Sequence, residues 1–371
     1  MEEQVKEILE HFNAKGNIEK IKPITLGNIN NTFVVKYVEN NKEETYLLQE
    51  INRNVFPYPE KVMENIQKVT SYLKEKFKES GDIQHTTLEF ILAENDELFY
   101  RTNENRYFRL CYFIQNTVSY NSSEDVFVIK EAGKAFGNFQ KMLDKFPIEI
   151  LHGTIEGFHD TPKRYQSFLQ DVEKDRAGRV EQVQKEISEV KKRADKVPMI
   201  MRLLQEGKIP YRVTHNDTKL NNVLMAEKEK TYKAVIDLDT IMPGSALFDY
   251  GDGIRSTAAS AFENEADSSK VYLNLSLFQA YTEGYLSEMA NYLNKTEVQY
   301  LGDSILLLTL EQSMRFLQDY INGDIYFKTE YLEHNLVRTR NQLTLLKDME
   351  EKEQIMKNEI QKIYERYKKE E

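Results

Sequence analysis

The sequence lacks the features on which several common protein classes depend. Its 371 residues include a single cysteine, Cys111, so an internal disulfide and a cysteine-based metal cluster are excluded. No apolar run approaches the roughly 18 residues that a membrane-spanning helix requires, and the first residues do not show the basic and then apolar order of a secretory signal. We therefore expect a cytoplasmic protein without a membrane partner.

The chain is also short of positive charge. It has 50 basic and 61 acidic residues, and the resulting formal charge of -11 repels a nucleic-acid backbone. Only 8 prolines stand beside 22 tyrosines and 19 phenylalanines, a composition that argues against disorder and low complexity. Length and composition predict a globular protein of about two to three lobes, with no nucleic acid among its partners.

Several segments in the first third of the chain are rich in β-branched and aromatic residues, which favours strands. The turn Asn40-Asn41 suits a hairpin, because Asn tolerates left-handed backbone conformations. Pro59 and Glu60 open a predicted helix between the third and fourth strands. The predicted strands cover residues 21–27, 32–38, 45–51, 87–93, 98–101 and 107–114.

The polar stretch 115–124 marks the predicted domain boundary, since helical patterns dominate beyond it. We expect a β-rich N-lobe over residues 1–115 and a helical C-lobe over residues 116–371. Two long charged segments of the C-lobe, 163–196 and 346–371, are interpreted as solvated helix faces.

The residues that carry chemistry are concentrated around a predicted β-hairpin near residue 229. If the hairpin is symmetric about position 229.5, Asn222 and Asp237 lie side by side at its open end. An amide oxygen and a carboxylate are ligands that suit Mg²⁺, which keeps substrate phosphates in its shell. Asp217 precedes Asn222 by five residues and can accept the proton of a hydroxyl group. The pattern predicts a phosphoryl-transfer site.

The spacing His215-x-Asp217-x-x-x-x-Asn222, followed by a strand that ends at Asp237, resembles the catalytic and metal-binding loops of protein-kinase-like enzymes. The similarity is to the aminoglycoside phosphotransferase and choline kinase branch. Several further segments look like the N-acetylhexosamine 1-kinase family, and the similarity runs through nearly the whole chain. These segments are residues 27–33, 46–52, 54–56, 63–66, 236–244 and 315–320.

This resemblance implies an α+β, bilobal, protein-kinase-like fold, with one main helix beside the antiparallel sheet of the N-lobe. It implies ATP and Mg²⁺ as cofactors and an N-acetylhexosamine, GlcNAc or GalNAc, phosphorylated at its anomeric hydroxyl. Asp217 would be the catalytic base, and Asn222 and Asp237 the Mg²⁺ ligands. His215 would support the loop by hydrogen bonding, while Asp249 and Asp252 would hold it through backbone amides.

The resemblance also suggests residues that bind the sugar. Asp239 would share a side with Asp237 if the strand continues that far, and the analogy assigns it to the sugar. Glu311, Arg315 and Asp319 recur every four residues and by themselves indicate a solvated ion-pair face. Because residues 315–320 match the family, Arg315 is expected to contact sugar or phosphate.

The nucleotide site departs from the usual kinase pattern. Gly27 stands alone where repeated glycines usually cover the phosphates, and kinase topology assigns Gly27, Asn31 and Thr32 to ATP. Gln49 occupies the position of the nucleotide-anchoring Lys but cannot neutralise phosphate charge. The sequence therefore predicts looser phosphate anchoring and more reliance on Mg²⁺.

Three other functions fit parts of the sequence. The run Ile236-Asp237-Leu238-Asp239 resembles the motif of haloacid-dehalogenase phosphatases, in which Asp237 would be a nucleophile in a parallel α/β sheet. The neutral Gln49 suggests a pseudokinase that only binds nucleotide. A kinase of the same fold acting on an aminoglycoside, choline, homoserine or another alcohol is the third alternative, because this fold hosts many acceptors.

Overall fold

The computed structural model describes residues 2–24 and 30–368, so Gly27 of the expected phosphate loop lies outside the described residues. The chain divides into two compact units, each made of several stretches of chain. Unit 1 comprises Met1–Thr117, Ile150–Ile155 and Ile236–Ile241. Unit 2 comprises Val118–Glu149, Glu156–Val235 and Met242–Glu371.

Unit 1 is built on an antiparallel sheet. Its elements are α1 (Glu2–Leu9), β1 (Asn17–Ile24), β2 (Asn31–Glu39), β3 (Lys42–Ile51), α2 (Pro59–Ser80), β4 (Phe90–Ile91), β5 (Tyr100–Arg101) and β6 (Tyr107–Tyr112). The strand order is β1-β2-β3-β6-β4, and β5 pairs with β6. The predicted strands are therefore present, although those near residues 90 and 100 are much shorter than expected.

Local chemistry explains the ends of these elements. Asn40 and Asn41 have φ angles of 50° and 62°, which confirms the predicted hairpin turn between β2 and β3. Helix α2 begins at Pro59, as predicted, and ends at Ser80, where Gly81 caps it with a left-handed φ of 68°. Apolar residues of the sheet and of α1 form the core of this unit, among them Val35, Leu48, Phe108, Leu110 and Leu9.

Unit 2 is mainly helical. Its helices are α3 (Val126–Met142), α4 (Thr161–Lys174), α5 (Gln184–Lys191), α6 (Met199–Gln205), α7 (Ala246–Thr257), α8 (Leu275–Met289), α9 (Lys295–Ile321), α10 (His334–Glu351) and α11 (Glu353–Tyr367). Its short strands are β8 (Arg212–Thr214), β9 (Val223–Ala226), β10 (Tyr232–Val235) and β11 (Met242–Gly244), while β7 (Thr117–Val118) lies at its start. The two units together confirm the expected α+β class.

The helices of unit 2 pack closely around α8 and α9. A Cβ atom on Gly284 of α8 would lie 1.9 Å from the carbonyl oxygen of Lys130 on α3, so only glycine permits this approach. Residues 163–196 do not form one continuous helical segment, because α4 ends at Lys174 and its cap, Asp175, is left-handed. The charged face is largely solvated, as expected, while Phe168 of α4 and Val190 of α5 are fully buried. None of the helices in the described ranges is long and apolar enough to cross a membrane.

Candidate active site

The loop that carries Asp217 joins β8 to β9 in unit 2. Strand β8 pairs with β11 in antiparallel register, with Thr214 opposite Met242. The chain then turns at Asn216, whose φ of 65° is left-handed, a conformation that Asn tolerates better than most residues. A 3-10 turn over Leu220–Asn222 leads into β9. The side chain of Asp217 is 24% exposed at the bend of this loop.

Helix α7 holds the loop in place through two carboxylates. The Oδ2 and Oδ1 atoms of Asp249 accept hydrogen bonds from the backbone N–H groups of His215 and Asn216, at 2.9 and 2.8 Å. Asp252 accepts one from the N–H of Thr218 at 3.1 Å. Burial raises the pKa of Asp249, and the nearby His215 opposes that rise. Both carboxylates thus hold the loop as the sequence analysis expected.

His215 also has the supporting role expected for it. Its ring is fully buried, and its Nδ1 atom accepts a hydrogen bond from the backbone N–H of Asp217 at 3.2 Å. The edges of Phe136 and Phe139 pack against the ring. The imidazole therefore fixes the backbone of the loop.

Two neighbours act on the Asp217 carboxylate. The Nζ atom of Lys219 lies 2.9 Å from its Oδ1 atom, and the Nδ2 atom of Asn222 donates to its Oδ2 atom at 3.2 Å. The same Nδ2 atom donates to the backbone carbonyl of Asp217 at 2.8 Å. Asp217 raises the pKa of Lys219, which stays protonated near neutral pH. Since Nδ2 of Asn222 is used within the loop, Oδ1 is the atom that this residue offers to a cation.

The β9–β10 hairpin does not have the predicted register. Val235 pairs with Val223 and Tyr232 with Met225, and the register shifts between residues 232 and 234. The centre therefore lies near position 229 rather than 229.5, and β10 ends at Val235. A β-bulge of this kind leaves no mark in hydrophobic alternation. The side-by-side placement of Asn222 and Asp237 derived from a symmetric hairpin is therefore not supported.

The expected relation between Asp237 and Asp239 is also wrong. Asp237 has a left-handed backbone with φ of 58°, and residues Leu238–Thr240 form a 3-10 turn rather than a strand. As a result Asp237 is exposed, whereas the side chain of Asp239 is only 2% exposed. The two carboxylates therefore do not lie on the same side of the chain.

Asp239 pairs with a residue that the sequence analysis did not single out. Within unit 1 its Oδ1 atom forms an ion pair with Nη1 of Arg109, and its Oδ2 atom accepts a hydrogen bond from Asn30 at 2.7 Å. Arg109 stands in the apolar strand Tyr107–Tyr112 and is also 2% exposed. A lone charge in such a strand is the signal that could have identified it. The expected sugar contact of Asp239 does not fit this burial.

Both polar atoms of the Gln49 side-chain amide have hydrogen-bond partners. Its Oε1 atom accepts from Nε of Arg109 at 3.0 Å, and its Nε2 atom lies 3.3 Å from Oγ1 of Thr32. The carboxylate of Glu64 on α2 lies 2.7 Å from Nε2 of His152. Asn31, also expected to bind the nucleotide, donates a hydrogen bond to Glu50 at 2.9 Å.

The polar stripe on α9 is not a solvated face. Glu311 and Asp319 are 1% and 6% exposed, and only Arg315 is partly exposed. The guanidinium of Arg315 lies 5.3 Å from the ring centre of Phe158 and 5.6 Å from that of Phe327. These rings restrict the arginine while leaving it partly accessible to solvent.

His159 connects the polar stripe on α9 to the loop that carries Asp217. Its Nδ1 atom is 2.7 Å from Oε1 of Glu311, and its Nε2 atom is 3.3 Å from the carbonyl oxygen of Asn216. Burial opposes the charge of Glu311, but His159, Arg164 and Thr161 lower its pKa to about 2. A buried histidine and carboxylate therefore brace the residue before Asp217.

The donor atoms fit magnesium better than zinc. No cluster of three or more His, Cys, Asp or Glu side chains arranged to hold a metal occurs in residues 2–24 and 30–368. Asn222 offers an amide oxygen, and the exposed Asp237 offers a carboxylate. Each of these oxygens is a hard donor of the kind that Mg²⁺ prefers.

A comparison with protein families gives one match over most of the chain. Residues 20–286 match the family described as "Phosphotransferase enzyme family", APH. The match includes the loop around Asp217 and both Asp237 and Asp239.

Solved structures of kinases share the fold. A microcompartment-associated aminopropanol kinase is 15% identical with a TM-score of 0.66, covering 96% of this chain and 98% of its own. A choline kinase from Cryptosporidium parvum is 14% identical with a TM-score of 0.57, covering 96% and 98%. A spectinomycin phosphotransferase solved with ADP and spectinomycin is 13% identical with a TM-score of 0.56, covering 94% and 98%. The expected kinase-like fold is confirmed.

Proposed function

The chain belongs to the phosphotransferase enzyme family, and we propose that it uses ATP to phosphorylate an N-acetylhexosamine, GlcNAc or GalNAc, at the anomeric hydroxyl. The observation that carries phosphoryl transfer is the loop from His215 to Asn222, which α7 fixes by its backbone and which presents the Asp217 carboxylate. The sugar acceptor is supported by the sequence segments that resemble the N-acetylhexosamine 1-kinase family.

In this proposal Asp217 is the catalytic base. It accepts the proton of the anomeric hydroxyl while the sugar oxygen forms a bond to the γ-phosphorus of ATP. The bond from that phosphorus to the bridging oxygen breaks, and ADP leaves. Phosphoryl transfer has a loose transition state, so orientation of the hydroxyl contributes more than strong basicity.

We propose Asn222 and Asp237 as the protein ligands of Mg²⁺, on the spacing of the motif and the chemistry of their oxygens. When bound, the ion neutralises charge on the phosphate oxygens during transfer. Asn222 is already oriented for this role, because its amide nitrogen is hydrogen-bonded to Asp217.

Arg315 is proposed as a sugar-binding residue, since its partly exposed guanidinium can donate to two neighbouring hydroxyl groups. For the nucleotide, Thr32 and Gln49 are proposed with Asn31 and Gly27, on the family resemblance alone. Asp239 is not proposed as a sugar ligand, because both of its oxygens are bonded within unit 1.

Phosphorus NMR of the product tests the proposal directly. The protein is incubated with Mg-ATP and either GlcNAc or GalNAc, and the spectrum separates an anomeric phosphate from a 6-phosphate and from free phosphate. We expect the anomeric phosphate, formed with stoichiometric ADP. A 6-phosphate, or no sugar phosphate, rejects the sugar 1-kinase assignment.

A kinase acting on another alcohol is the second candidate, because the similar solved structures include aminopropanol and choline kinases. The same assay with amino alcohols and aminoglycosides as acceptors distinguishes the two. The phosphatase alternative requires a parallel sheet around Asp237, whereas β10, which precedes Asp237, pairs antiparallel with β9. A pseudokinase would bind ADP but consume no ATP with any acceptor.

A further inference from the structure

Gln49 of β3 is neutral, but the neighbouring strand of the sheet, β6, carries a cation, Arg109. Strands β3 and β6 are antiparallel neighbours, and Gln49 is directly opposite Arg109 in their register. The Gln49 amide oxygen accepts from Nε of Arg109 at 3.0 Å. The neutral residue of β3 therefore orients an arginine of β6.

Arg109 forms its ion pair with a single carboxylate. It is 2% exposed, as is Asp239, with which its Nη1 atom forms an ion pair. Although burial disfavours its charge, Asp239 and, more weakly, Asp237 raise the pKa of Arg109. A buried charge is costly unless it is paired and hydrogen-bonded, and this one is both. At this burial Arg109 does not reach a nucleotide phosphate.

Asp239 is tied to several parts of unit 1. Its Oδ2 atom accepts from Asn30, whose own side-chain oxygen accepts from the backbone N–H of Asn52 at 3.0 Å. The carbonyl oxygen of Ile241, two residues later, accepts from Asn65 of α2 at 2.9 Å. The segment Ile236–Ile241 is thus fixed through Asp239 and at its end.

Asp237 lies in this fixed segment with a different environment. It is exposed and left-handed, while Asp239 two residues later is buried. Because a left-handed aspartate is a strained conformation, it persists only where its surroundings hold it. The ion pair of Asp239, two residues along the chain, is one of the contacts that hold this turn.

We propose that Arg109 is a positioning residue that, by holding Asp239, fixes the turn that presents Asp237 to the magnesium ion of a bound Mg-nucleotide. This inference rests on the proposed function and deepens it. Under this inference the cationic residue stands on β6, as Arg109, instead of on β3 at position 49. Its charge acts on the turn that carries Asp237 rather than directly on the nucleotide phosphates.

The test uses a variant that removes both buried charges. Arg109→Met/Asp239→Leu replaces the pair with apolar side chains of similar size, an exchange that is often neutral for stability. Arg109→Lys keeps the charge but loses the planar guanidinium that donates to Gln49 through Nε and pairs with Asp239 through Nη1. The control is Arg193→Met/Glu350→Leu, because Arg193 and Glu350 form a bidentate pair at 2.7 and 2.6 Å that is more exposed.

Calorimetric titration of each folded protein with Mg-ADP, and with ADP in EDTA, separates metal-dependent from metal-independent binding. For the double variant we expect the affinity for Mg-ADP to fall about 10- to 100-fold, the usual effect of removing a residue behind a metal ligand. The affinity for ADP in EDTA should stay unchanged. The control should match the wild type in both titrations.

Each other result overturns the inference. Wild-type affinity for Mg-ADP in the double variant, or an equal loss with and without metal, shows that Arg109 does not act through the metal-binding turn. If the double variant does not fold, Arg109→Lys decides by the same comparison. A wild-type protein whose affinity for ADP is independent of Mg²⁺ instead rejects the proposed function and the inference with it.

Discussion

The Nζ atom of Lys219 lies 2.9 Å from Oδ1 of Asp217, so the carboxylate proposed as proton acceptor has a cation beside it on the same loop. Asn222 donates to the other carboxylate oxygen. Both contacts hold the Asp217 carboxylate in one orientation, in which it can accept a hydrogen bond from a substrate hydroxyl.

Replacing Asp217 by Asn should lower kcat by at least about 100-fold, the low end for a positioned general base, while ADP affinity persists. The substitution keeps the shape of the side chain but cannot take a proton. Steady-state kinetics with Mg-ATP measures the effect. Lys219→Met, which removes the cation and keeps the base, should lose less activity. Wild-type turnover of Asp217→Asn would exclude this residue from the mechanism.

Asp237→Ala should abolish Mg²⁺-dependent turnover, because it removes the proposed carboxylate ligand. Titration of activity with Mg²⁺ measures the result. Asp96→Ala is a matched control, since Asp96 is also exposed and left-handed, with φ of 60°. It carries the same backbone cost without a proposed ligand role. Undiminished activity of Asp237→Ala would refute the ligand assignment.

Gln49→Ala should raise the KM for ATP by about two- to tenfold, the value of one or two neutral hydrogen bonds. The amide links Thr32 of β2 to Arg109 of β6, and its loss frees both. The exposed Gln84→Ala serves as control. An unchanged KM for ATP would remove Gln49 from the nucleotide site.

Arg315→Ala should raise the KM for the sugar by about tenfold or more, and the KM for ATP by less. Arg338→Ala is the matched control, because it also removes a guanidinium from an aromatic ring, that of Phe316 at 5.5 Å. Initial rates at varied sugar and varied ATP give both constants. A larger rise in the KM for ATP than in the KM for the sugar would contradict the assignment of Arg315 to the sugar.

Glu311→Gln should make stability less dependent on pH. The pKa of Glu311 falls from 4.5 to about 2 in the folded protein. The unfolded chain therefore binds this proton first as the pH falls. The carboxylate contributes about 3 kcal/mol above pH 5, and this contribution is lost as the pH falls from about 4.5 through about 2.

Urea unfolding of the wild type and of Glu311→Gln between pH 6 and pH 3 measures this contribution. The difference in unfolding free energy should be largest at the upper end of the range and shrink toward pH 3. A difference that stays constant with pH would contradict the assignment of a charged Glu311 beside His159.

The sequence predicted the local elements well where one residue type decides the geometry. Asn40 and Asn41 give the left-handed turn, Pro59 begins α2, and Asp249 holds the loop. Each of these depends on interactions that are recognisable from the residue and its close neighbours.

Other features depend on contacts between distant parts of the chain. The register of β9 and β10 is changed by a bulge near residue 233. Arg109 and Asp239 are 130 positions apart, and neither pattern around them indicates the partner. The burial of Glu311 on α9 depends on His159, which comes from another segment. These relations follow from tertiary packing, which a single sequence does not display.

Because unit 1 is made of separate stretches of chain, its residues become available at different times during translation. The strand that contains Arg109 emerges long before Asp239, and Asn65 emerges before its acceptors at His152 and Ile241. During synthesis the arginine therefore has no carboxylate from the segment Ile236–Ile241 to pair with. The nascent sheet must keep this guanidinium hydrated, so the final closure of its interior waits until about two thirds of the polypeptide has been translated.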